Sequence, residues 1–154
     1  MRETKKAINT REVFARHHGI WEGAYTRIDL KTGQIIEKHK SRLNCNLLGD
    51  DWKQRNIYTW EDGRTETILF PGHFDQDGWL RFDTPRLKGN SCAADPNSIF
   101  LEWIYKEEPG NHFSELITLI SENHRARVWQ HFEHGVFAKL TIIDEYRVSG
   151  DPQF

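Results

Sequence analysis

Alternation of apolar and polar residues governs the chain after residue 19 and predicts an all-β protein. Stretches with a period of two, typical of strands with one buried face, are separated by short turn sequences. Asp62-Gly63 is the strongest turn signal, because both residues accept a positive φ. The predicted strands span residues 20–28, 35–47, 52–60, 64–70, 79–83, 89–94, 98–105, 112–120, 124–132 and 136–148.

A helical pattern occurs only before the first strand. Thr10 is the predicted N-cap of the segment "REVFARHH", which places Val13 and Phe14 on one side, and Gly19 can end it. A meander of this length would leave two exposed edge strands unless it closed on itself. The sequence therefore predicts an antiparallel up-and-down barrel of about ten strands with a short N-terminal helix.

Length and composition fit one domain. We expect a flexible N-terminus over residues 1–9, the barrel over 10–148 and a C-terminal tail over 149–154. Acidic and basic residues are interspersed and the formal net charge is -2, which does not favour nucleic-acid binding. No apolar run is long enough to span a membrane, and residues 1–6 lead into no apolar signal segment. These features predict a cytoplasmic protein in which Cys45 and Cys92 are free thiols.

Gly19-Ile20-Trp21 follows the predicted helix and begins the first strand, and Arg147 lies in the last. This arrangement resembles the lipocalins and the wider calycin superfamily. The resemblance implies that Trp21 plugs the closed end of the barrel and that Arg147 packs over its ring, as a cation–π contact. The runs "NIYTWEDGRTE", "DGWLRFDTPRLKG" and "HRARVWQHFEHGVFAKLTIIDEYRV" look like an uncharacterised bacterial family of single-domain lipocalin-like barrel proteins. That family implies a fold and no established chemistry.

Alternate residues of a barrel strand point inward, so the strand pattern predicts a lining. His39 shares a face with Ser41, Leu43 and Cys45, while Asn44 falls on the face assigned to solvent. Either face of strand 124–132 can be the inner one, since a single bulge reverses the alternation. The predicted ligand-binding residues are Trp52, Asn56, Tyr58, Trp60, Trp103, Arg127 and Trp129.

Nineteen aromatic residues, counting Trp, Tyr and Phe, occur in a chain whose mean hydropathy is -0.74. Rings beside polar groups predict a cavity for a small aromatic or amphipathic organic ligand. A barrel filled by its own side chains is the alternative. A second functional hypothesis is a cofactor-independent lyase, isomerase or cyclase that uses His39, Tyr58 and His131 as acid–base groups. It requires a histidine close to Tyr58 or to an acidic side chain.

Other chemistry finds less support in the sequence. No spacing typical of a metal site is present, and we expect neither a metal nor a cofactor; haem ligation by His39 or His131 is a minor alternative. His17 and His18 are predicted to face solvent or to cap the helix.

The acidic residues Glu66, Asp83 and Glu115 are expected to face solvent or to pair with Arg64, Arg81 and Arg125. Cys45 is expected to be a small buried hydrophobe rather than a nucleophile. Phe100, Ile104 and Phe132 form a possible homodimer face.

Overall fold

The computed structural model describes residues 8–153. Within them the chain forms a closed ten-stranded antiparallel barrel preceded by one short helix, as the alternation predicts. The elements are α1 (Thr10–Arg16), β1 (Gly19–Asp29), β2 (Ile35–Leu48), β3 (Asp51–Thr59), β4 (Thr65–Phe74), β5 (Leu80–Asp83), β6 (Leu87–Asp95), β7 (Ser98–Tyr105), β8 (Asn111–Ser121), β9 (His124–Glu133) and β10 (Val136–Ser149).

Each strand pairs with its neighbours in sequence, and β1 pairs with β10 to close the barrel. In that last pairing Trp21 lies opposite Arg147, and Tyr25 lies opposite Ile143. The turns that follow β1, β3, β5, β7 and β9 all lie at one end, which we call the mouth. Helix α1 covers the other end, which we call the closed end.

The N-cap of α1 is Asn9, whose side chain accepts a hydrogen bond from the backbone N–H of Glu12. The prediction of Thr10 as the cap was wrong, because the Thr10 hydroxyl accepts from the backbone N–H of Ala93 in β6 instead. The Thr10 hydroxyl is thus used in a tertiary contact with β6, and the preceding residue caps the helix. Asn9 belongs to the segment predicted to be flexible, of which residues 1–7 lie outside the described residues.

Trp21 is fully buried at the closed end. Its indole N–H donates to the carbonyl of His17, 3.0 Å away. The guanidinium of Arg147 lies 4.6 Å from the centre of the ring and donates to the carbonyls of Arg16, His18 and Glu122. The predicted contact between Trp21 and Arg147 is confirmed.

The seam between β4 and β5 is the least complete part of the barrel. These strands pair only at His73 with Arg81 and at Phe74 with Leu80. β4 was expected to end before Pro71, yet it continues through that residue, which pairs with Lys53 of β3. Proline is tolerated here because β5 is too short to provide a hydrogen-bonding neighbour on the other side.

Burial confirms the predicted alternation on β2, β3, β7 and β9. Asn44 departs from it, since its side chain faces the outer wall yet is buried. The side chain accepts a hydrogen bond from the backbone N–H of Gln153, whose carbonyl accepts from Arg55. The C-terminal tail therefore covers a position that the sequence pattern assigned to solvent.

Four apolar side chains lie side by side across the outer wall of β7–β10, and we call them the outer row. Phe100 lies opposite Leu116, which neighbours Val128, which in turn neighbours Ile142. Ile104 is exposed, while Phe132 is only partly exposed and stacks on Phe137. Within residues 8–153 no helix is long and apolar enough to cross a membrane.

Candidate functional site

The mouth contains a pocket of about 230 Å³. A cavity needs only about 10–15 Å³ on this measure to hold one water molecule, so this pocket has room for an organic molecule of a few rings. Aromatic rings and two imidazoles form its walls, and charged side chains surround its rim. The lining residues are Tyr25, Arg27, Glu37, His39, Tyr58, Trp60, Glu66, Ile68, Arg86, Tyr105, Glu108, Phe113, Trp129 and His131.

A smaller cavity of about 60 Å³ lies deeper in the barrel. Both spaces share Trp129 as a lining residue. The predicted site residues divide between them. Tyr58, Trp60, His39 and His131 line the mouth pocket, and Trp52, Asn56, Trp103 and Arg127 line the deeper cavity.

His39 on β2 is packed among rings, and its side chain is only 7% exposed. It stacks on Tyr25 with 4.5 Å between ring centres, and it lies 4.7 Å from Trp60 and 5.0 Å from Tyr58. Nδ1 is 3.4 Å from Glu37 Oε1, but neither ring nitrogen forms a well-aligned hydrogen bond within the described chain. Burial lowers the pKa of His39, and this effect outweighs that of Glu37, which acts to raise the pKa. The imidazole is therefore neutral at pH 7.

His131 on β9 occupies a similar environment. Its ring stacks on Phe113 at 4.2 Å between centres. The buried nitrogens have no hydrogen-bond partner among residues 8–153, and Nε2 is 3.9 Å from Glu133 Oε1. Burial, reinforced by the charge of Lys139, lowers the pKa of His131. The site thus has two neutral imidazoles whose hydrogen-bonding capacity is unused.

Tyr58 connects the mouth pocket to a ladder of hydrogen bonds along the inner face of β3. The indole of Trp52 donates to Gln54, the Gln54 amide donates to Asn56, and the Asn56 amide donates to the Tyr58 hydroxyl, each over 2.9–3.0 Å. The hydroxyl of Tyr25 lies 3.5 Å from that of Tyr58. Burial raises the pKa of Tyr58 to about 12, so its phenol keeps its proton and can donate a hydrogen bond to a bound molecule.

Two arginines and two glutamates form a buried network below the pocket. Arg127 donates to Glu115 at 2.8 Å and to Glu145 at 2.5 Å, and Arg125 donates to Glu145 at 3.0 Å. The expectation that Glu115 faces solvent or pairs with Arg64, Arg81 or Arg125 was wrong: it is 3% exposed, pairs with Arg127 and also accepts from the Trp129 indole. Burial raises the pKa of Glu115, and Arg127 opposes that shift.

Sequence reasoning missed Glu145, although its position on β10, in step with Ile143 and Arg147, signals an inward side chain. Burial alone would raise the pKa of Glu145, but Arg125 and Arg127 hold it below its ordinary value. The two positive and two negative charges cancel, so the network is neutral as a whole. A buried pair of this kind is costly to break, since the remaining partner would be left uncompensated.

His17 is the C-cap residue of α1, as one of the two predicted alternatives has it, but its side chain does not face solvent, because the chain folds the end of α1 under the barrel. The side chain is fully buried, and its Nδ1 lies 3.2 Å from Arg125 Nη1. Burial and the charge of Arg125 lower the pKa of His17 to about 2. His18 is partly buried, and its Nδ1 accepts a hydrogen bond from the backbone N–H of Leu47.

The rim of the pocket carries ion pairs that were not predicted. Arg27 and Glu37 are 3.1 Å apart, and Arg86, in the turn between β5 and β6, is 3.1 Å from Glu66 on β4. Glu66 is therefore a rim residue. Asp83 is exposed, as expected, and it pairs with Lys106.

Few groups near the site could act as ligands for an inorganic cofactor. No group of three or more His, Cys, Asp or Glu side chains within the described part of the chain could hold a metal ion. Cys45 and Cys92 are both free, and burial raises the pKa of the Cys45 thiol, which disfavours the nucleophilic thiolate. The site's chemistry rests on imidazole, phenol, indole and the rim charges.

Solved structures with the same fold are distant in sequence. An S-type phycobiliprotein lyase from Guillardia theta is 13% identical, with a TM-score of 0.65 over 92% of this chain and 93% of the lyase. The structure of EF1p2_mFAP2b bound to DFHBI is 12% identical, with a TM-score of 0.52 over 90% of this chain and 98% of that one. No curated protein matches the sequence.

A crystal structure of a protein of unknown function from Nostoc punctiforme, of the DUF3598 family, is 18% identical, with a TM-score of 0.71 over 88% of this chain. The matched region is 49% of the Nostoc protein, so this chain spans about half of its length. Residues 8–150 match the family model described as the N-terminal domain of unknown function DUF3598. The chain therefore belongs to the DUF3598 family, as an N-terminal domain of that family and a lipocalin-like barrel.

Proposed function

We propose that the protein binds a small aromatic or amphipathic organic molecule in the mouth pocket. The observation that carries the proposal is the pair of buried imidazoles, His39 and His131, which line one pocket and leave their nitrogens without hydrogen-bond partners. Buried polar groups in folded proteins are nearly always satisfied, so two unsatisfied rings on one pocket wall need a partner from outside the chain.

The other walls suit the same kind of molecule. Tyr25, Trp60, Phe113 and Trp129 present faces or edges of rings to the pocket, and aromatic stacking and burial of apolar area supply affinity for a planar molecule. The polar rim suits the end of an amphipathic ligand that stays near water. That an S-type phycobiliprotein lyase and a DFHBI-bound barrel have this fold is consistent with the proposal, but it identifies no ligand.

The proposal can be tested with 2-naphthol, an uncharged two-ring probe, in an NMR titration that follows the indole N–H signals. Binding at the mouth should shift the signals of Trp60 and Trp129, which line the pocket, and leave that of Trp79 unchanged. Shifts confined to Trp79, or no saturable shift up to millimolar probe, would refute binding in the pocket.

A matched pair of variants tests the same point by filling the pocket. Ile68 is 7% exposed and lines the pocket, whereas its neighbour Leu69 is 61% exposed on the outer wall. Ile68→Trp should reduce binding of 2-naphthol at least tenfold, because the larger ring occupies the space of the probe. Leu69→Trp should bind as the unmodified protein does, and equal binding by both variants would contradict the proposal.

A second candidate is acid–base catalysis in the same pocket, and the closeness of His39 to both Glu37 and Tyr58 favours it. The neutral imidazole of His39 would remove a proton next to a carbonyl group, while the Tyr58 hydroxyl would donate a hydrogen bond to the carbonyl oxygen. The reaction class would be an isomerisation, cyclisation or elimination that needs no cofactor.

Deuterium exchange at the α-carbon of 2-tetralone in D₂O, followed by proton NMR, tests this activity. Catalysis should be lost in Tyr58→Phe and in His39→Ala with little loss of stability. His112→Phe, at an outer-wall histidine, should retain full activity. Exchange no faster than in buffer alone would refute acid–base catalysis on this class of compound, while the binding proposal would stand.

We also propose that the outer row joins two copies of the chain. Leu116, Val128 and Ile142 are 44, 39 and 44% exposed, and no charged residue interrupts the row. A contiguous apolar patch of this kind is typical of an interface between copies. Sedimentation velocity should show a dimer that Leu116→Glu dissociates, whereas Leu69→Glu, at an exposed position outside the row, should leave it intact. A monomer at 100 µM would refute the dimer.

A further inference from the structure

We infer that the mouth pocket selects uncharged aromatic molecules that carry an O–H or N–H donor, and that it excludes aromatic carboxylates. The inference rests on the proposed binding function and specifies the class of ligand. It follows from the direction in which the two buried imidazoles can form hydrogen bonds, and from the charges around them.

His39 offers a hydrogen-bond acceptor to the pocket. A neutral imidazole has one N–H and one bare nitrogen, and a nearby carboxylate favours the proton on the nitrogen that faces it. Glu37 Oε1 lies 3.4 Å from Nδ1, so the proton is favoured there. Nε2 is then a bare acceptor, buried in the pocket wall with no partner in residues 8–153.

His131 offers an acceptor as well. Its neutral imidazole has one bare nitrogen whichever nitrogen carries the proton. Neither nitrogen has a hydrogen-bond partner within the described chain. Both imidazoles therefore offer an acceptor, and a ligand satisfies an acceptor with an O–H or N–H group.

The charges around the pocket disfavour an anionic ligand. The rim carboxylates Glu37 and Glu66 are matched by Arg27 and Arg86, and Glu108 adds another negative charge to the lining. An aromatic carboxylate would bring a negative charge towards these groups and towards two nitrogen lone pairs, while providing no donor. It would also lose its hydration against walls of tyrosine, tryptophan and phenylalanine, which is costly for an ion.

An ammonium ion is also a donor, but moving it from water into the same aromatic walls carries the desolvation cost of a full charge. Arg27 and Arg86 already pair with Glu37 and Glu66, so among the lining carboxylates of residues 8–153 Glu108 alone is left to offset part of that cost. The pocket wall therefore favours a neutral donor, such as a phenol, an indole or a primary amide on an aromatic ring.

Four probes that share one ring system test the inference by isothermal titration calorimetry at pH 7.5. They are 2-naphthol, which is a neutral donor; 2-methoxynaphthalene, which lacks the donor; 2-naphthoate, an anion; and 2-(aminomethyl)naphthalene, a cation. We expect 2-naphthol to bind about tenfold more tightly than 2-methoxynaphthalene, because a buried acceptor is left unsatisfied by the ether. We expect the naphthoate to bind more weakly than either neutral probe.

Variants that keep the ring but remove its nitrogens locate the effect. His39→Phe and His131→Phe should each reduce the preference for 2-naphthol over 2-methoxynaphthalene. His112→Phe is a matched control, because His112 stacks on Phe132 at 4.5 Å as His131 stacks on Phe113, but on the outer wall. It should leave the preference unchanged.

The outcomes separate the inference from the binding function on which it rests. Equal affinity for 2-naphthol and 2-methoxynaphthalene, or tighter binding of the naphthoate or the ammonium probe, overturns the inference while binding itself stands. Failure of all four probes to bind overturns both. If a phenylalanine variant does not fold, the comparison of probes on the unmodified protein still decides the question.

Discussion

At the closed end of the barrel a buried histidine, His17, lies beside Trp21 and Arg125, and at the mouth another, His39, lies beside Tyr25 and Trp60. Both imidazoles are neutral because burial lowers their pKa. They differ in their partners. Within residues 8–153, His17 has Arg125 against Nδ1 and no hydrogen-bond partner on Nε2, whereas His39 has none on either nitrogen.

Under the proposed function, the same residue type has a structural role at the closed end and a ligand-binding role at the mouth. At the closed end the guanidinium groups of Arg125 and Arg147 lie 4.2 and 4.6 Å from the centre of the Trp21 ring, and Arg125 is also bound to Glu145. Polar groups there hold elements together. At the mouth the unpartnered nitrogens border a pocket, where we propose that a bound molecule supplies their partner.

Arg125→Met is expected to have the largest effect on stability. It leaves Glu145 with one fewer partner and removes one of the two cations that lie over the Trp21 ring. We expect a loss of about 3–5 kcal/mol in the free energy of unfolding, because a buried carboxylate loses compensation. Urea denaturation followed by tryptophan fluorescence measures it.

The control for Arg125→Met is Arg42→Met, which removes an exposed ion pair with Glu22. It should change stability by no more than about 1 kcal/mol. Equal effects of the two substitutions would mean that the closed-end network does not stabilise the fold. Affinity for 2-naphthol should be unchanged in both variants, because neither residue lines the mouth pocket.

Acidification is expected to have an intermediate effect on stability, because it protonates His17 in the unfolded chain. Its pKa is about 2 in the folded protein and ordinarily 6.5, so between these values the unfolded chain binds the extra proton. Stability contributed by neutral His17 is therefore complete above pH 6.5 and is lost as pH falls towards 2. The contribution is about 1.4 kcal/mol for each pH unit in that window.

The measurement is a series of urea denaturation curves from pH 7.5 to 4.5 on the unmodified protein and on His17→Gln. The variant should lose less stability on acidification, because glutamine takes up no proton. His73→Gln, at an exposed histidine, should follow the unmodified protein. Parallel curves for all three would show that His17 does not carry the acid sensitivity.

The smallest effect is expected at the mouth, and its sign is opposite. His39→Phe and His131→Phe should each raise the free energy of unfolding by about 1 kcal/mol, because each removes buried polar atoms that lack partners and keeps the stacked ring. Thermal and urea unfolding without ligand measure the change, with His112→Phe expected to be near neutral. A loss of stability in both mouth variants would place these histidines among the structural groups.

Much of the barrel follows from local rules in the sequence. Alternation with a period of two defined the strands, and residues such as Trp52, Tyr58 and Trp103 face inward as that alternation requires. Trp21 and Arg147 could be matched because a motif and a chain position identify them. Even the side of β9 that bears Arg127 and Trp129 is the inner one, although the sequence left both faces open.

What the sequence by itself determined is the strand pattern and, except on β9, the inward set, because these depend on periodicity; the closed end followed from the resemblance that Gly19-Ile20-Trp21 and Arg147 carry. Only the tertiary structure decided which polar groups meet. Glu115 on β8 and Glu145 on β10 both meet Arg127 on β9 between them, the tail covers Asn44, and α1 carries His17 into the interior. Such pairings depend on the register of neighbouring strands and on contacts between segments far apart in the chain. Closure of the barrel is also what places the unpartnered nitrogens of His39 and His131 on one pocket.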